Sequence, residues 1–205
     1  MKVSLIIPAG GIGQRLQSKQ PKQFLLIQNK PILQHTLEAF SGTGMSECVI
    51  PVPEGYENQT HQIIERSQLD FKVQVTIGGL TRAASIQNAF NKLKKCDYVL
   101  IHDAARPFVS KTVIQRVLNQ IEHYECVIPV LPVVDTVKRL KDGIVDHTLE
   151  RNGLVCVQTP QAVKYHRYQQ ALETMKDSLE SFTDDASLME AIQVKVKAVD
   201  GEKIN

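Results

Sequence analysis

The chain has 205 residues, of which 42% are hydrophobic and 22% are charged, and its formal net charge is +2. This length allows a sizeable buried core, and the near-neutral balance argues against the strongly basic face of a nucleic-acid-binding protein. With five Tyr, six Phe and no Trp, the chain also offers few platforms on which bases could stack. We therefore expect a compact protein without a nucleic-acid partner.

The chain opens with a short apolar run at residues 3–7, which predicts a buried strand and ends at Pro8. This run is too short for a signal peptide, and no later run reaches membrane-spanning length. We therefore expect a cytoplasmic protein with no membrane partner. The four cysteines form no Cys-x-x-Cys pair, and we interpret them as reduced core residues: Cys48, Cys96, Cys126 and Cys156.

Short β-branched runs alternate with segments of helical period along most of the chain, a pattern typical of an α/β fold. Apolar spacing predicts helices that include residues 83–93 and 113–121. The predicted strands are residues 3–7, 48–52, 73–77, 98–102, 127–130, 155–158 and 194–199. Since no linker or repeat divides the chain, we expect a single Rossmann-like domain over residues 1–205 with a mostly parallel central sheet.

One segment, residues 132–152, departs from this alternation. Asp142 and Gly143 separate two polar-tolerant runs at residues 137–140 and 144–149, which predicts a protruding β-hairpin arm. A two-stranded ribbon is at best marginally stable alone in water, so we expect this arm to pack on another surface. Its own domain could provide that surface, but a second copy of the chain is the more economical partner, and we expect a homodimer.

Basic charge gathers around a glycine turn that follows the first strand. The first 37 residues contain five basic side chains and no acidic one. The glycines of turn 8–15 let backbone N–H groups approach phosphate oxygens, and Arg15, Lys19 and Lys22 add positive charge beside them. This segment therefore predicts a nucleotide site.

Known phosphate-binding motifs narrow the prediction. The Walker pattern is absent, and a dinucleotide fingerprint requires glycine where this chain has Leu16. A nicotinamide oxidoreductase is disfavoured for that reason and because of the cations around the turn. What remains is a Gly-x-Gly-x-Arg turn with a second basic cluster at residues 21–23, which suits a triphosphate undergoing chemistry.

A second glycine turn, residues 78–85, follows another predicted strand. Open α/β sheets bind ligands beyond the carboxyl ends of their strands. Arg82 and Ser85 would lie near the positive end of the following helix, where they could receive phosphate or a base edge. An ordinary helix start capped by Thr81 would have a similar sequence, so this signal is weak alone.

The loop 103–107 follows a third predicted strand. It carries Asp103 and Arg106 three residues apart, which suits either a magnesium–phosphate site or an ion pair that stiffens the loop. The preceding His102 could act as a base, but transfer to an already ionised phosphate needs none. We therefore interpret His102 as structural.

In order and content, these motifs resemble one family, the cytidylyltransferases that activate 2-C-methyl-D-erythritol 4-phosphate. The matching stretches run from near the first residue to near the last. They are PAGGIGQR at 8–15, PKQF at 21–24, GGLTRAAS at 78–85, HDAARP at 102–107, DTVK at 135–138, RNGL at 151–154, QTPQ at 158–161 and TDDAS at 183–187.

The resemblance implies a nucleotidyltransferase that moves CMP from CTP to a sugar-alcohol phosphate and releases pyrophosphate. By position, it implies that Arg15 and Lys22 stabilise the transition state. The residues assigned to nucleotide binding are Ala9, Gly10, Gly11, Gly13, Gly79, Arg82, Ser85 and Asp103. Arg106, Thr136 and Arg151 match residues that place the acceptor, and the last two lie on the arm and reach the partner subunit's site.

The resemblance also implies a divalent cofactor, Mg²⁺, which would neutralise the triphosphate. The ligand of that ion stays open, with Asp103 as a candidate. Gly10 stands where most members of that family have alanine, and we expect glycine to cost little there, in a turn already built on glycine. The family pattern continues after Asn205 through an isoleucine to a lysine that helps to place the substrate, and this sequence ends before that stretch.

Two alternatives remain open. A ribitol 5-phosphate cytidylyltransferase shares the two glycine turns and the QTPQ stretch, although RNGL and TDDAS favour methylerythritol phosphate. A nucleotide-binding module without turnover would bind CTP and Mg²⁺ and release no pyrophosphate. Pyrophosphate release with each acceptor distinguishes the three.

Overall fold

The computed structural model describes residues 1–11 and 20–205. Its helices are α1 (Ile32–Ala39), α2 (Glu57–Arg66), α3 (Arg82–Phe90), α4 (Lys111–Leu118), α5 (Tyr165–Thr174) and α6 (Asp185–Ala191). Its strands are β1 (Val3–Ile6), β2 (Leu26–Ile27), β3 (Lys30–Pro31), β4 (Met45–Val52), β5 (Lys72–Ile77), β6 (Tyr98–Ile101), β7 (Cys126–Pro132), β8 (Lys138–Lys141), β9 (Ile144–Thr148), β10 (Val155–Val157), β11 (Gln161–Lys164) and β12 (Val196–Asp200).

The central sheet has the strand order β10-β7-β11-β6-β1-β4-β5, and β12 also pairs with β7. β1 pairs in parallel with β4 and β6, β5 pairs in parallel with β4, and β12 pairs in parallel with β7. β10 and β11 run antiparallel to successive stretches of β7. The predicted α/β fold with a mostly parallel sheet is confirmed, and β11 is a strand that was not predicted.

Helices cover both faces of this sheet. On one face, α1, α2 and α4 pack on strand side chains that include Leu5 and Leu100. On the other face, α3, α5 and α6 pack on strand side chains that include Ile6 and Ile101. Because successive side chains of a strand point to opposite faces, the fully buried strands β1 and β6 contribute to both cores.

The two helices predicted from apolar spacing are present as α3 and α4, with ends a few residues from the predicted ones. Each begins at a hydroxyl N-cap. Thr81 accepts a hydrogen bond from the N–H of Ala84 at 3.2 Å, and Ser110 accepts one from Val113 at 3.1 Å. In the described parts of the chain, no helix combines the length and the apolar character that crossing a membrane requires.

The predicted hairpin is also present. β8 and β9 form a separate antiparallel sheet, joined at Asp142 and Gly143. These two residues have φ of 51° and 80°, the left-handed conformation that tight hairpin turns require. Every residue of both strands is exposed to solvent, which makes this ribbon an arm outside the two cores.

The interpretation of all four cysteines as core residues needs a correction. All four are free thiols, and Cys48 and Cys126 are buried in the cores, where desolvation raises the pKa of both thiols. Cys156, however, is exposed. It lies on β10, whose three residues are all exposed, so the apolar run 155–157 is a surface strand.

Candidate active site

The predicted loops meet in one cleft of about 1350 Å³. They follow β1, β5 and β6, so they emerge at the same edge of the sheet, beyond the carboxyl ends of these strands. The predicted site residues that line the cleft are Ala9, Gly10, Gly11, Lys22, Gly79, Arg82, Ser85, Asp103 and Arg106. Arg15 and Gly13 lie outside the described residues. Thr136 and Arg151 do not belong to the lining of this cleft.

The described part of the first glycine turn, residues 8–11, is held from two sides. The N–H of Ala9 donates to the carbonyl of Pro51 in β4 at 2.9 Å. From the other side, Gln23 donates from Nε2 to the carbonyl oxygens of Ala9 at 2.5 Å and of Gly11 at 3.3 Å. Gln23 is only 2% exposed, and no role was predicted for it although it belongs to the PKQF stretch.

Lys22 lies at the mouth of the cleft on a short 3₁₀ turn, Lys22–Phe24. The backbone of this turn is held by its neighbours, because Pro21 is buried and the buried Phe24 stacks on Tyr56 with ring centroids 4.9 Å apart. Among the described residues, Lys22 forms no ion pair, in contrast to the two arginines of the cleft. Its ammonium group is therefore available to a ligand.

The second glycine turn is organised by the buried hydroxyl of Ser85. This Oγ accepts from the N–H of Gly79 at 3.0 Å and donates to the carbonyl of Thr81 at 2.8 Å. A Cβ on Gly79 would lie 2.4 Å from the Cβ of Ala84, so only glycine fits there. A Cβ on Gly10 would lie 2.7 Å from the same Ser85 Oγ. Glycine at position 10 therefore agrees with its surroundings, whereas an alanine Cβ there would require a bonded, buried hydroxyl to move.

An ion-pair network joins the second glycine turn to the loop 103–107. Asp103 pairs with Arg82 at 3.5 Å and with Arg106 at 3.2 Å. Arg82 also donates from Nη2 to Asp185 at 2.9 Å, and Tyr168 donates its hydroxyl to the same carboxylate at 2.5 Å. Desolvation acts to raise the pKa of Asp103, but nearby positive charge, chiefly that of Arg82, holds it below its usual range. Asp103 is thus an ionised carboxylate at neutral pH.

The buried His102 is hydrogen-bonded to the loop 103–107. Its Nε2–H donates to the carbonyl of Arg106 at 3.0 Å, and its Nδ1 accepts from the hydroxyl of Thr159 at 2.9 Å. The same hydroxyl accepts from the N–H of Asp103 at 3.3 Å. Complete burial lowers the pKa of His102 to about 4, so the ring is neutral at physiological pH. This geometry agrees with a structural role.

Further residues of the cleft come from two stretches that matched the family but received no role. Gln158, Thr159 and Gln161 follow β10, and Thr183 and Asp184 precede α6. The two stretches interlock, because Gln161 donates to Asp184 at 2.9 Å and accepts from the backbone N–H of Ala186 at 2.9 Å. Their membership of the QTPQ and TDDAS stretches was the only signal in the sequence, since spacing along the chain does not reveal contacts between them.

Thr136 and Arg151 lie at the base of the arm, where both are exposed. The guanidinium group of Arg151 donates to the backbone carbonyl of Val134. Large apolar side chains of the arm also face solvent, with Leu140 61% and Ile144 74% exposed. In the described residues of this chain, the arm therefore has an uncovered apolar surface.

The sheet is mostly parallel, and its carboxyl edge carries two glycine turns, an available lysine and paired arginines. This arrangement is typical of the α/β proteins that bind a phosphate-rich nucleotide. Over residues 3–205 the chain matches the family described as "IspD: 2-C-methyl-D-erythritol 4-phosphate cytidylyltransferase". The chain belongs to this family.

Relatives and solved structures agree with this assignment. The chain is 39% identical to the 2-C-methyl-D-erythritol 4-phosphate cytidylyltransferase of Bacillus thuringiensis (strain Al Hakam), over 98% of this chain and 90% of that protein. It is 37% identical to the one of Bacteroides thetaiotaomicron, over 100% and 93%. Its fold is similar to the 4-diphosphocytidyl-2C-methyl-D-erythritol synthase of Anaerococcus prevotii, with a TM-score of 0.86, 28% identity and coverage of 100% and 90%. The Thermus thermophilus cytidylyltransferase gives a TM-score of 0.81 at 30% identity, with coverage of 100% and 91%.

Proposed function

We propose that the protein transfers CMP from CTP to 2-C-methyl-D-erythritol 4-phosphate, forming 4-diphosphocytidyl-2-C-methyl-D-erythritol and pyrophosphate in isoprenoid precursor synthesis. The observation that carries this proposal is the cleft of about 1350 Å³, which brings both glycine turns, Lys22 and the loop 103–107 together in a member of this family. A phosphate-rich nucleotide matches this set of backbone amides and cations.

In the proposed reaction, an oxygen of the acceptor phosphate attacks the α-phosphorus of CTP. A new P–O bond forms, the bond to the bridging oxygen of the β-phosphate breaks, and pyrophosphate leaves with that electron pair. The acceptor is already ionised, so no general base is required. Charge builds on the oxygens of the α-phosphorus in the transition state, where preorganised cations are most effective. We assign this role to Lys22, and to Arg15 from its position in the sequence.

We assign the triphosphate to the first glycine turn and the cytosine to the second. Ser85 uses its hydroxyl to hold the backbone of Gly79 and Thr81, so the polar groups that face the base are fixed before it arrives. Such preorganisation reduces the ordering cost of binding. Arg82 and Asp103 complete the nucleotide side of the cleft, and Arg106 lies beside Asp103, where we place the acceptor phosphate.

We propose Mg²⁺ as the cofactor. In the described part of the chain, no cluster of three or more His, Cys, Asp or Glu side chains could hold a metal ion. Mg²⁺ is commonly held mainly by the phosphates of its substrate, so a single carboxylate from the protein is compatible with a Mg²⁺ site. Asp103 is our candidate for it, since it is ionised and lines the cleft. When bound, the ion would neutralise phosphate charge.

We also propose that the active form is a homodimer whose arms complete the sites. Thr136 and Arg151 are exposed at the base of the arm and absent from the lining of their own cleft. In the dimer they would reach the acceptor in the partner's cleft, and apolar residues such as Leu140 and Ile144 would be covered. Burying each such side chain contributes roughly 1.5–3 kcal/mol. We also propose a single domain over residues 1–205 and a cytoplasmic location.

Pyrophosphate release tests the proposal directly. The protein is given CTP and Mg²⁺ with either methylerythritol phosphate or ribitol 5-phosphate. We expect turnover with the first acceptor, loss of that turnover in Lys22→Ala, and no loss in Lys92→Ala, which removes an exposed lysine after α3. Turnover with ribitol 5-phosphate alone would assign the other acceptor, and CTP binding without release would indicate a binding module.

A further inference from the structure

Gln23 is a buried side chain that connects the first glycine turn to the segment that carries Lys22. Its amide nitrogen donates two hydrogen bonds to this turn, one to the carbonyl of Ala9 and one to the carbonyl of Gly11. The residue is 2% exposed and its neighbour Phe24 is packed in the core, so the donor cannot move away easily. The contact links positions that lie 14 and 12 residues apart in the chain.

The turn needs such a clamp because of its composition. Glycine accepts almost any backbone conformation, so the peptide planes around Gly10 and Gly11 can rotate at little cost. A Cβ on Gly11 would meet no atom of the described residues within 4 Å. A carbonyl rotated toward the cleft would place its negative end against the phosphates of a nucleotide. A peptide whose carbonyl is bonded to Gln23 instead turns its N–H away from Gln23.

Only an amide side chain of this length supplies what the turn requires. A neutral NH₂ group offers two donors, whereas an ionised carboxylate of the same shape offers none and would face two carbonyl oxygens. The apolar isostere methionine fills the space without donating. Gln23 therefore differs in function from Glu by both charge and donors, and from Met by donors alone.

We propose that Gln23 is a positioning residue for the triphosphate: its amide holds the carbonyls of Ala9 and Gly11 away from the phosphates and fixes the turn relative to Lys22. This inference rests on the proposed function, since it assumes CTP as the ligand of the cleft. Gln23 acts through the backbone of the turn and is assigned no contact with the reacting atoms.

The test compares Gln23→Met and Gln23→Glu with a matched control, Gln62→Glu, which makes the same change on an exposed position of α2. The dissociation constants of CTP and of CMP are measured by calorimetry with Mg²⁺, alongside kcat, KM and the thermal unfolding midpoint. We expect Met, which removes both donated hydrogen bonds, to weaken CTP binding about 10-fold, and Glu, which also brings a negative charge against the two carbonyl oxygens, to weaken it about 100-fold. CMP, which lacks the β- and γ-phosphates, should lose about 3-fold or less.

The comparison of CTP with CMP separates positioning from general structural damage, because a loosened fold would weaken both nucleotides alike and lower the unfolding midpoint. Equal losses for CTP and CMP, or CTP affinity within about 3-fold of the parent in Gln23→Glu, would overturn the inference. If Gln23→Glu does not fold, Gln23→Met decides in the same way. Should the parent bind CTP but release no pyrophosphate, the proposed function fails while the binding series still tests Gln23.

Discussion

The cleft and the arm differ in the environment of their side chains: buried polar side chains are hydrogen-bonded around the cleft, and apolar groups are exposed on the arm. Around the cleft, buried side chains such as Gln23, His102 and Asp185 each make at least two hydrogen bonds or ion pairs to other segments of the chain. In β8 and β9 every residue is exposed, and large apolar groups face solvent. The geometry of the cleft is thus set within one chain, whereas the described residues of this chain leave the apolar side chains of the arm exposed.

This contrast suggests a division of labour in the proposed reaction. The steps that need fixed geometry, holding the triphosphate and stabilising the transition state, use residues that one chain positions. In the proposed homodimer, choice of the acceptor would fall to the arm, whose position would depend on the partner. The predictions below test each side of this comparison, beginning with the largest expected effect.

The first prediction concerns the available cation of the cleft. Because Lys22 forms no ion pair among the described residues, its charge is free for the transition state, and Lys22→Ala should lower kcat by about 10²–10³-fold. The KM for CTP should change less, as expected of an interaction made mainly in the transition state. Steady-state pyrophosphate release measures both, with Lys92→Ala as the control. A kcat within about 5-fold of the parent would mean that the chemistry does not depend on this side of the cleft.

The second prediction concerns the pH dependence of folding stability that the buried His102 beside the cleft causes. The folded pKa of His102 is about 4, below the ordinary value of 6.5, because burial disfavours the charged ring. As pH falls below 6.5 the unfolded chain takes up the proton first, so stability is lost between about pH 6.5 and 4. A shift of this size corresponds to about 3 kcal/mol. Urea unfolding at intervals across this range should show the loss.

The matched variants for that experiment are His102→Gln and His61→Gln, the second on the exposed surface of α2. We expect His102→Gln to be less stable at pH 7.5 but to lose about 3 kcal/mol less than the parent on acidification. His61→Gln should retain the fall seen in the parent. Parallel curves for the parent and His102→Gln would show that the buried ring does not couple the cleft to pH.

Much of the fold was predictable because local sequence carries it. Residues 98–101 are apolar throughout and form a strand buried on both faces, and the spacing from Val113 to Ile121 placed α4. β11 was missed because Pro160 precedes it and its apolar run is very short, so only pairing with β6 and β7 makes it a strand. Cys156 was misjudged because an apolar run does not reveal whether helices cover it.

The site divides in the same way. Its glycines and cations follow predicted strands, so their assembly at one edge could be expected from the sequence. The partners of these residues could not, since Gln23 with Gly11 and Arg82 with Asp185 pair across 12 and 103 positions. Such contacts depend on the packing of whole elements, which no local pattern encodes.

The third prediction sharpens the claim that the cleft is tightly built. In Gly10→Ala the new Cβ would lie 2.7 Å from the Ser85 hydroxyl, whereas in Gly11→Ala it would meet no atom of residues 1–11 and 20–205 within 4 Å. We expect the first change to lower the free energy of unfolding by about 1–2 kcal/mol through overpacking and the second to leave it nearly unchanged. Thermal or urea unfolding without ligand measures both. Equal stability of the two variants would indicate that Ser85 moves aside freely.

The last prediction addresses the arm and has the smallest expected signal. If Arg151 acts in the partner's cleft, each site takes Lys22 from one subunit and Arg151 from the other. Lys22→Ala and Arg151→Ala then remove contributions that come from different subunits. A hybrid dimer then contains one site with Lys22 and Arg151 both intact, so mixing equal amounts should restore roughly one quarter of the parent activity through the half of dimers that are hybrid. Neither variant alone, at the same total concentration, should approach that level. Subunit exchange is followed separately with two affinity tags, because exchange without recovered activity would mean that Arg151 serves its own cleft and that each chain builds a complete site.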